Sequence, residues 1–141
     1  MGASVALSPQ QREMIRSHLA AFREYMGSDQ FRRDQQDRQD RVRYFQKELP
    51  SKLASLSEAD VEELITTLWS SRFWGNKQYL VQLILSKNGL DRLRDELTHL
   101  VARDLPISER YSRFSKEVDR LGGPASLTEM LAYLHPDQCG I

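Results

Sequence analysis

Arg72, Trp74, Asn76 and Lys77 place a large aromatic ring, an amide and two cations within six residues. That combination can stack on a nucleobase while the cations hold a backbone phosphate. The other reading of the same stretch is structural, with Trp69 and Trp74 as core anchors and the cations solvating the rim. Arginine is also concentrated in FRRDQQDRQDRVRYFQKEL, residues 31–49, which carries five Arg and one Lys against three Asp up to Lys47. Pairing Asp34 with Arg38 and Asp37 with Arg41 would make this a solvated helix face. It would leave Arg32, Arg33 and Arg43 free, and a guanidinium fork suits phosphate. Gly122-Gly123-Pro124-Ala125-Ser126 is the third candidate. Two glycines before a helix let a phosphate approach the backbone and the free N–H groups of the helix start, and a glycine held there at positive φ would resist alanine. A Gly-Gly-Pro connector between helices has the same composition.

Catalytic chemistry has little to stand on. His18, His99 and His135 sit on separate segments without H-x-x-x-H or H-E-x-x-H spacing, so no metal site is expected. P-loop, G-x-G-x-x-G and G-x-S-x-G patterns are absent, and the single cysteine, Cys139, lies near the end. Neither a cofactor nor a catalytic residue is expected. A helix-hairpin-helix glycosylase resembles the chain only at the hairpin, where many such enzymes carry a lysine nucleophile just after the second glycine. Here that region reads Pro124-Ala125-Ser126.

With 141 residues the chain is the size of one domain, and 40% hydrophobic with 28% charged residues is an ordinary globular balance. Formal charge is zero, so any anion site must be local. One cysteine excludes an internal disulfide, and no secretory or membrane-spanning segment is read, giving a cytoplasmic expectation with no membrane partner.

Helices must position these groups. Residues 1–7 read as a frayed leader and 8–141 as one helical domain, taken as a fragment of a longer protein because the ending has no tail character. Ser8-Pro9-Gln10-Gln11 supplies a cap, a proline at the first turn and a capping-box Gln, ahead of the stripe Met14, Ile15, Leu19, Phe22, Met26 and a stop at Gly27. The arginine-rich helix is expected to end at Pro50. Ser57 with Asp60 opens a third helix, and Phe73-Trp74-Gly75 is the hinge to a fourth, capped by Asn76 and stopped in the αL conformation at Gly89. Leu90, Leu93, Leu97 and Leu100 mark a further helix, with Glu96 off its stripe and His99 at the rim. One starting near Ser108 buries Tyr111, Phe114, Val118 and Leu121. The last presents Leu127, Met130, Leu131 and Leu134. The expectation is an all-α single domain of about seven helices with a helix-hairpin-helix-like turn.

The blocks Leu68-Trp69, Phe73 to Val81, Asn88-Gly89-Leu90, Glu109 to Phe114, and Gly123 to Leu131 with His135-Pro136-Asp137 resemble an N-terminal helical domain. That domain stands ahead of AAA+ motors in McrB-type modification-dependent restriction systems and related phage-defence proteins. The similarity covers roughly residues 45–141, and the chain contains neither motor nor nuclease motifs. The resemblance implies a target-recognition module that binds double-stranded DNA, with modified bases among its targets and an AAA+ motor and nuclease subunit as partners. The DNA-contacting residues expected are Arg32, Arg33, Arg43, Arg72, Trp74, Asn76, Lys77, Gly122, Gly123 and Ser126. The alternative is a helical protein-interaction or oligomerisation adaptor.

Overall fold

Ser8 and Ser57 start helices by the same mechanism. In the computed structural model the Ser8 hydroxyl accepts from Gln11 N–H at 3.1 Å while the Gln11 amide oxygen accepts from Ser8 N–H at 2.9 Å, and Ser57 with Asp60 repeats the exchange. Two of the donors a helix start leaves unpaired are satisfied each time. Residues 6–72 and 74–139 are described, so most of the expected leader, Phe73 of the hinge and the terminal Gly140 and Ile141 lie outside the described residues.

The chain divides into two units, 1–39 and 40–141, where the sequence reads as one body from residue 8. In the first, α1 (Pro9–Met26) is followed after Gly27 and Ser28 by the start of α2 (Asp29–Arg43). The turn between them is fastened locally. The Tyr25 hydroxyl donates to Asp34, the Tyr25 ring meets Phe31 edge-on at 5.4 Å, and the Ser28 hydroxyl accepts from Phe31 N–H at 3.1 Å. Neither helix buries a single residue.

The core is built in residues 40–141. A π-helical turn, Tyr44–Glu48, follows α2 and runs into α3 (Leu49–Lys52), so Pro50 does not end the helix as expected. The wider turn, with Leu49 N–H reaching the Tyr44 carbonyl, relieves the clash a proline ring would make one turn back. After a 3-10 turn at Leu53–Ser55 come α4 (Glu58–Thr67), a second 3-10 turn at Trp69–Ser71, α5 (Lys77–Asn88), α6 (Leu90–Leu100), α7 (Ile107–Glu117), α8 (Pro124–Leu134) and α9 (Pro136–Cys139). The architecture is all-α, with seven helices of ten residues or more among the described residues. None of them is long and apolar enough to cross a membrane.

Leucine periodicity places the inner faces as read: Leu93, Leu97 and Leu100 from α6, and Leu127, Met130, Leu131 and Leu134 from α8, are buried together. Phe45 stacks on Tyr133 at 5.4 Å, tying the π-helical turn to α8. Two charged residues enter this core against the periodicity. Glu96 is buried because Arg113 of α7 grips its carboxylate with both prongs, at 2.9 and 3.2 Å. Arg110 is fully buried, one helical turn before Phe114, and donates to the Leu100 carbonyl at 2.8 Å. Gly89 has positive φ as expected, but at φ 80° and ψ 149° it lies in a glycine-only region outside αL. That geometry lets it end α5 and begin α6 in one residue.

Candidate nucleic-acid interface

The Trp69 turn needs an anion, and α8 supplies one. Leu68 leaves α4 in extended conformation, so the N–H groups of Trp69 and Ser70 have no helical partner. The Glu129 carboxylate accepts both, at 2.5 and 2.7 Å, and also accepts the Tyr133 hydroxyl at 2.8 Å. The partial positive charge of a turn's N-terminal end makes a carboxylate the favoured cap. Removing this one side chain should therefore loosen the turn. Glu129→Ala is expected to cost about 1 to 2 kcal/mol, measured by denaturant titration, with Trp69 and Trp74 fluorescence changing in the folded baseline.

That cap brings Trp74 and the glycine hairpin together. Ser70 and Ser126 hydroxyls stand 3.4 Å apart, and both line a cleft of about 220 Å³ with Trp74 and Arg120 over an apolar floor that includes Ile65 and Leu121. Trp74 is 41% exposed and Trp69 52%, so neither ring is a core anchor. Arg120 also lines an adjoining, larger and mainly polar cleft of about 680 Å³ with Lys87, Arg92, Lys116, Gly122 and Gly123. In that cleft Arg92 is held by the Glu117 carboxylate at 3.8 Å and carbonyl at 3.2 Å. Lys87, Lys116 and Arg120 make no ion pair among the described residues. Arg120 also holds φ at 70°, an uncommon conformation for a residue with a side chain. Asn88 fixes the loop beside it, accepting Asp119 N–H at 2.8 Å and donating to its carbonyl at 3.0 Å.

Of the residues expected to touch DNA, Trp74 and Ser126 line the first of these clefts and Gly122 and Gly123 the second, and Arg120 lines both. Gly122 does so facing inward. A Cβ there would lie 2.3 Å from the Val118 carbonyl oxygen, so its role is close packing on α7 and it does not open a path to phosphate. Gly123 has φ −67°, so the positive φ expected at the hairpin is found at Arg120 instead. Arg72 is engaged on Trp69, its guanidinium 3.9 Å from the ring centroid and donating to the Trp69 carbonyl at 3.0 Å. Arg41 approaches the same ring at 5.3 Å and donates to the Thr67 carbonyl, so the expected pairing with Asp37 is replaced. Asn76 uses its side-chain oxygen to cap α5, accepting Tyr79 N–H at 3.0 Å, and Lys77 is the half-buried first residue of that helix.

The arginines read as free on α2 have partners one turn earlier. Arg32 pairs with Asp29 at 3.5 Å and Arg43 with Asp40 at 3.6 Å, while Arg33 donates to the side-chain amide oxygen of Gln30 at 3.1 Å. Asp34, expected to hold Arg38, accepts Tyr25 and Gln30 instead, and these two hydrogen bonds hold its carboxyl below the usual carboxylate range. Helical spacing permits i,i+3 as readily as i,i+4 pairing, and the sequence does not choose. Nothing in the local spacing of Arg120, Lys116 and Glu129 marks them; they matter through what the fold sets opposite them.

Among the described residues no group of His, Cys, Asp and Glu is arranged to hold a metal ion. Compared with protein-family models, with curated proteins and with solved structures, the chain finds no match.

Proposed function

We propose that this protein is a non-catalytic, double-stranded-DNA-binding module of a cytoplasmic restriction or defence assembly, contacting DNA through the two clefts that Arg120 lines. One observation carries the reading: Arg120, strained and without an ion-pair partner among the described residues, stands between an exposed Trp74 and the amines of Lys87 and Lys116. An aromatic face near several cations suits DNA, whose phosphates recur along the strand and whose bases can stack on an aromatic ring where one is extruded from the duplex. The uncapped start of α8 adds backbone donors on the same side, since Gly123 offers no side-chain cap. The McrB-type resemblance points the same way and would supply modified bases as targets and an AAA+ motor with its nuclease as partners.

Salt is the test. Each phosphate neutralised lowers the slope of log affinity against log salt by about 0.9. Fluorescence anisotropy with a labelled duplex should give steep salt dependence for the native chain. Replacing Lys116 and Arg120 together by Gln should reduce that slope by about 2, with melting unchanged to within a few degrees because both side chains are exposed. Trp74→Ala should weaken binding roughly tenfold at every salt concentration. A binding curve indifferent to salt, or a slope the double variant leaves unchanged, overturns the reading in favour of the interaction adaptor.

A further inference from the structure

The first helix is amphipathic, and among the described residues of its own unit nothing covers it. Leu7, Met14, Ile15, Leu19, Phe22, Tyr25 and Met26 are each 36 to 61% exposed, and no residue of α1 is buried. Within residues 1–39 the one aromatic contact from α2 is Phe31 on Tyr25, at the very end of the stripe. A helix of 18 residues with no packed face is marginal in water, and a capping box improves only its first turn.

The spacing of the stripe says what shape would cover it. Ile15, Leu19, Phe22 and Met26 follow one another by four, three and four residues, the seam of a two-helix coil. Seven large apolar side chains, each about half exposed, offer on the order of 500 Å² per copy. A standard interface needs roughly 800 Å² per partner, so pairing this stripe with itself, together with the polar rim beside it, reaches the size of a specific dimer. A formal charge of zero leaves no general repulsion between copies.

Charge also selects the direction. At about 100° per residue, Arg16 and Arg23 flank one side of the Ile15, Leu19, Phe22 and Met26 seam, Gln11, His18 and Tyr25 flank the other, Arg12 continues the seam towards the helix start, and Glu13 and Glu24 lie on the back. Antiparallel pairing would set the arginine edge against its own copy. Parallel pairing sets Arg16 and Arg23 against Gln11, His18 and Tyr25 and opposes like charges only at Arg12, at the start of the seam. A flat anionic membrane would be matched by cations along both edges, which α1 lacks. We infer that α1 is a homodimerisation helix, pairing in parallel with α1 of a second copy through Ile15, Leu19, Phe22 and Met26. The inference is independent of the DNA contact, which lies in residues 40–141.

Sedimentation equilibrium of the full chain from about 1 to 100 µM should show a monomer–dimer equilibrium, with Leu19→Asp plus Phe22→Asp weakening the dimer by at least roughly a hundredfold. Both side chains are exposed in the single chain, so melting of the 40–141 core should be retained. Direction is read by cross-linking. With Cys139→Ser removing the exposed native thiol, Met26→Cys should oxidise to a disulfide-linked dimer by itself. A mixture of Met14→Cys and Met26→Cys chains that cross-links only between the two types would overturn the parallel arrangement. A chain monomeric at 100 µM, a dimer that survives the double Asp variant, or a monomer that binds phosphatidylglycerol vesicles through the same residues would overturn the proposal.

Discussion

Gly122→Ala is expected to destabilise the 40–141 unit by about 3 kcal/mol or more. The added Cβ would stand 2.3 Å from the Val118 carbonyl oxygen, 2.8 Å from that of Phe114 and 3.3 Å from the Ser115 Cα. All three are backbone atoms in or just beyond the last turn of α7, where Val118 N–H is bonded to the Phe114 carbonyl. No rotamer change relieves the contact. Either α7 frays or the hairpin moves off it, and the second course pulls Arg120 and Ser126 away from Trp74. Gly123→Ala is the matched comparison. Its Cβ would meet only the Arg120 carbonyl oxygen, at 3.5 Å, an ordinary contact, and its φ of −67° suits any residue. That variant should stay within about 1 kcal/mol of the native chain. Urea titration of the two proteins checks the contrast, and equal losses would mean that Gly122 is not the close-packed position.

Arg110→Ala should be nearly as damaging, by roughly 3 to 5 kcal/mol. Its guanidinium is fully buried, bonded to the Leu100 carbonyl and to Nε2 of His135 at 2.5 Å, with its own Nε unpartnered and no ion pair among the described residues. Three segments meet at this side chain: the end of α6, α7 itself, and the junction of α8 with α9. Truncation leaves a cavity and orphans the Leu100 carbonyl. Arg110→Met, which keeps most of the volume and discards the buried charge, should lose less.

The same contact makes stability depend on pH. A guanidinium only donates, so His135 Nε2 must accept and the ring must be neutral. Burial lowers the His135 pKa, the positive charges of Arg110 and Arg103 lower it further, and Asp137 opposes them weakly. A histidine whose folded pKa lies below its unfolded value, near 6.5, is protonated first in the unfolded chain. Stability is thus intact above about pH 6.5 and falls as pH drops below it, until the folded pKa is reached. Melting temperature should decline from pH 7 towards pH 5, and His135→Gln should flatten that decline. An equal decline in the variant would assign it to other groups.

Much of this protein follows from local rules. Ser8 and Ser57 cap because a hydroxyl three residues ahead of a free N–H has one good partner, and leucine spacing places the inner faces of α6 and α8 whatever packs on them. Three positions depart from what local rules predict. Pro50 fails to stop a helix because the preceding turn widens, and Glu96 and Arg110 are buried because partners on neighbouring helices satisfy them. The candidate site shows the same division. Trp74, Ser126 and the two glycines are visible as residue types, yet only tertiary structure decides that they line two clefts with Arg120 in common, since Glu129 bridges 60 residues of sequence to cap the Trp69 turn. Arg32, Arg43 and Arg72 were visible as charges, but whether a charge is free depends on which neighbour is within reach, and that is a matter of geometry. Arg120 carries no mark in the sequence at all; its strained backbone and its place between the clefts exist only once α7 and α8 are packed around Gly122.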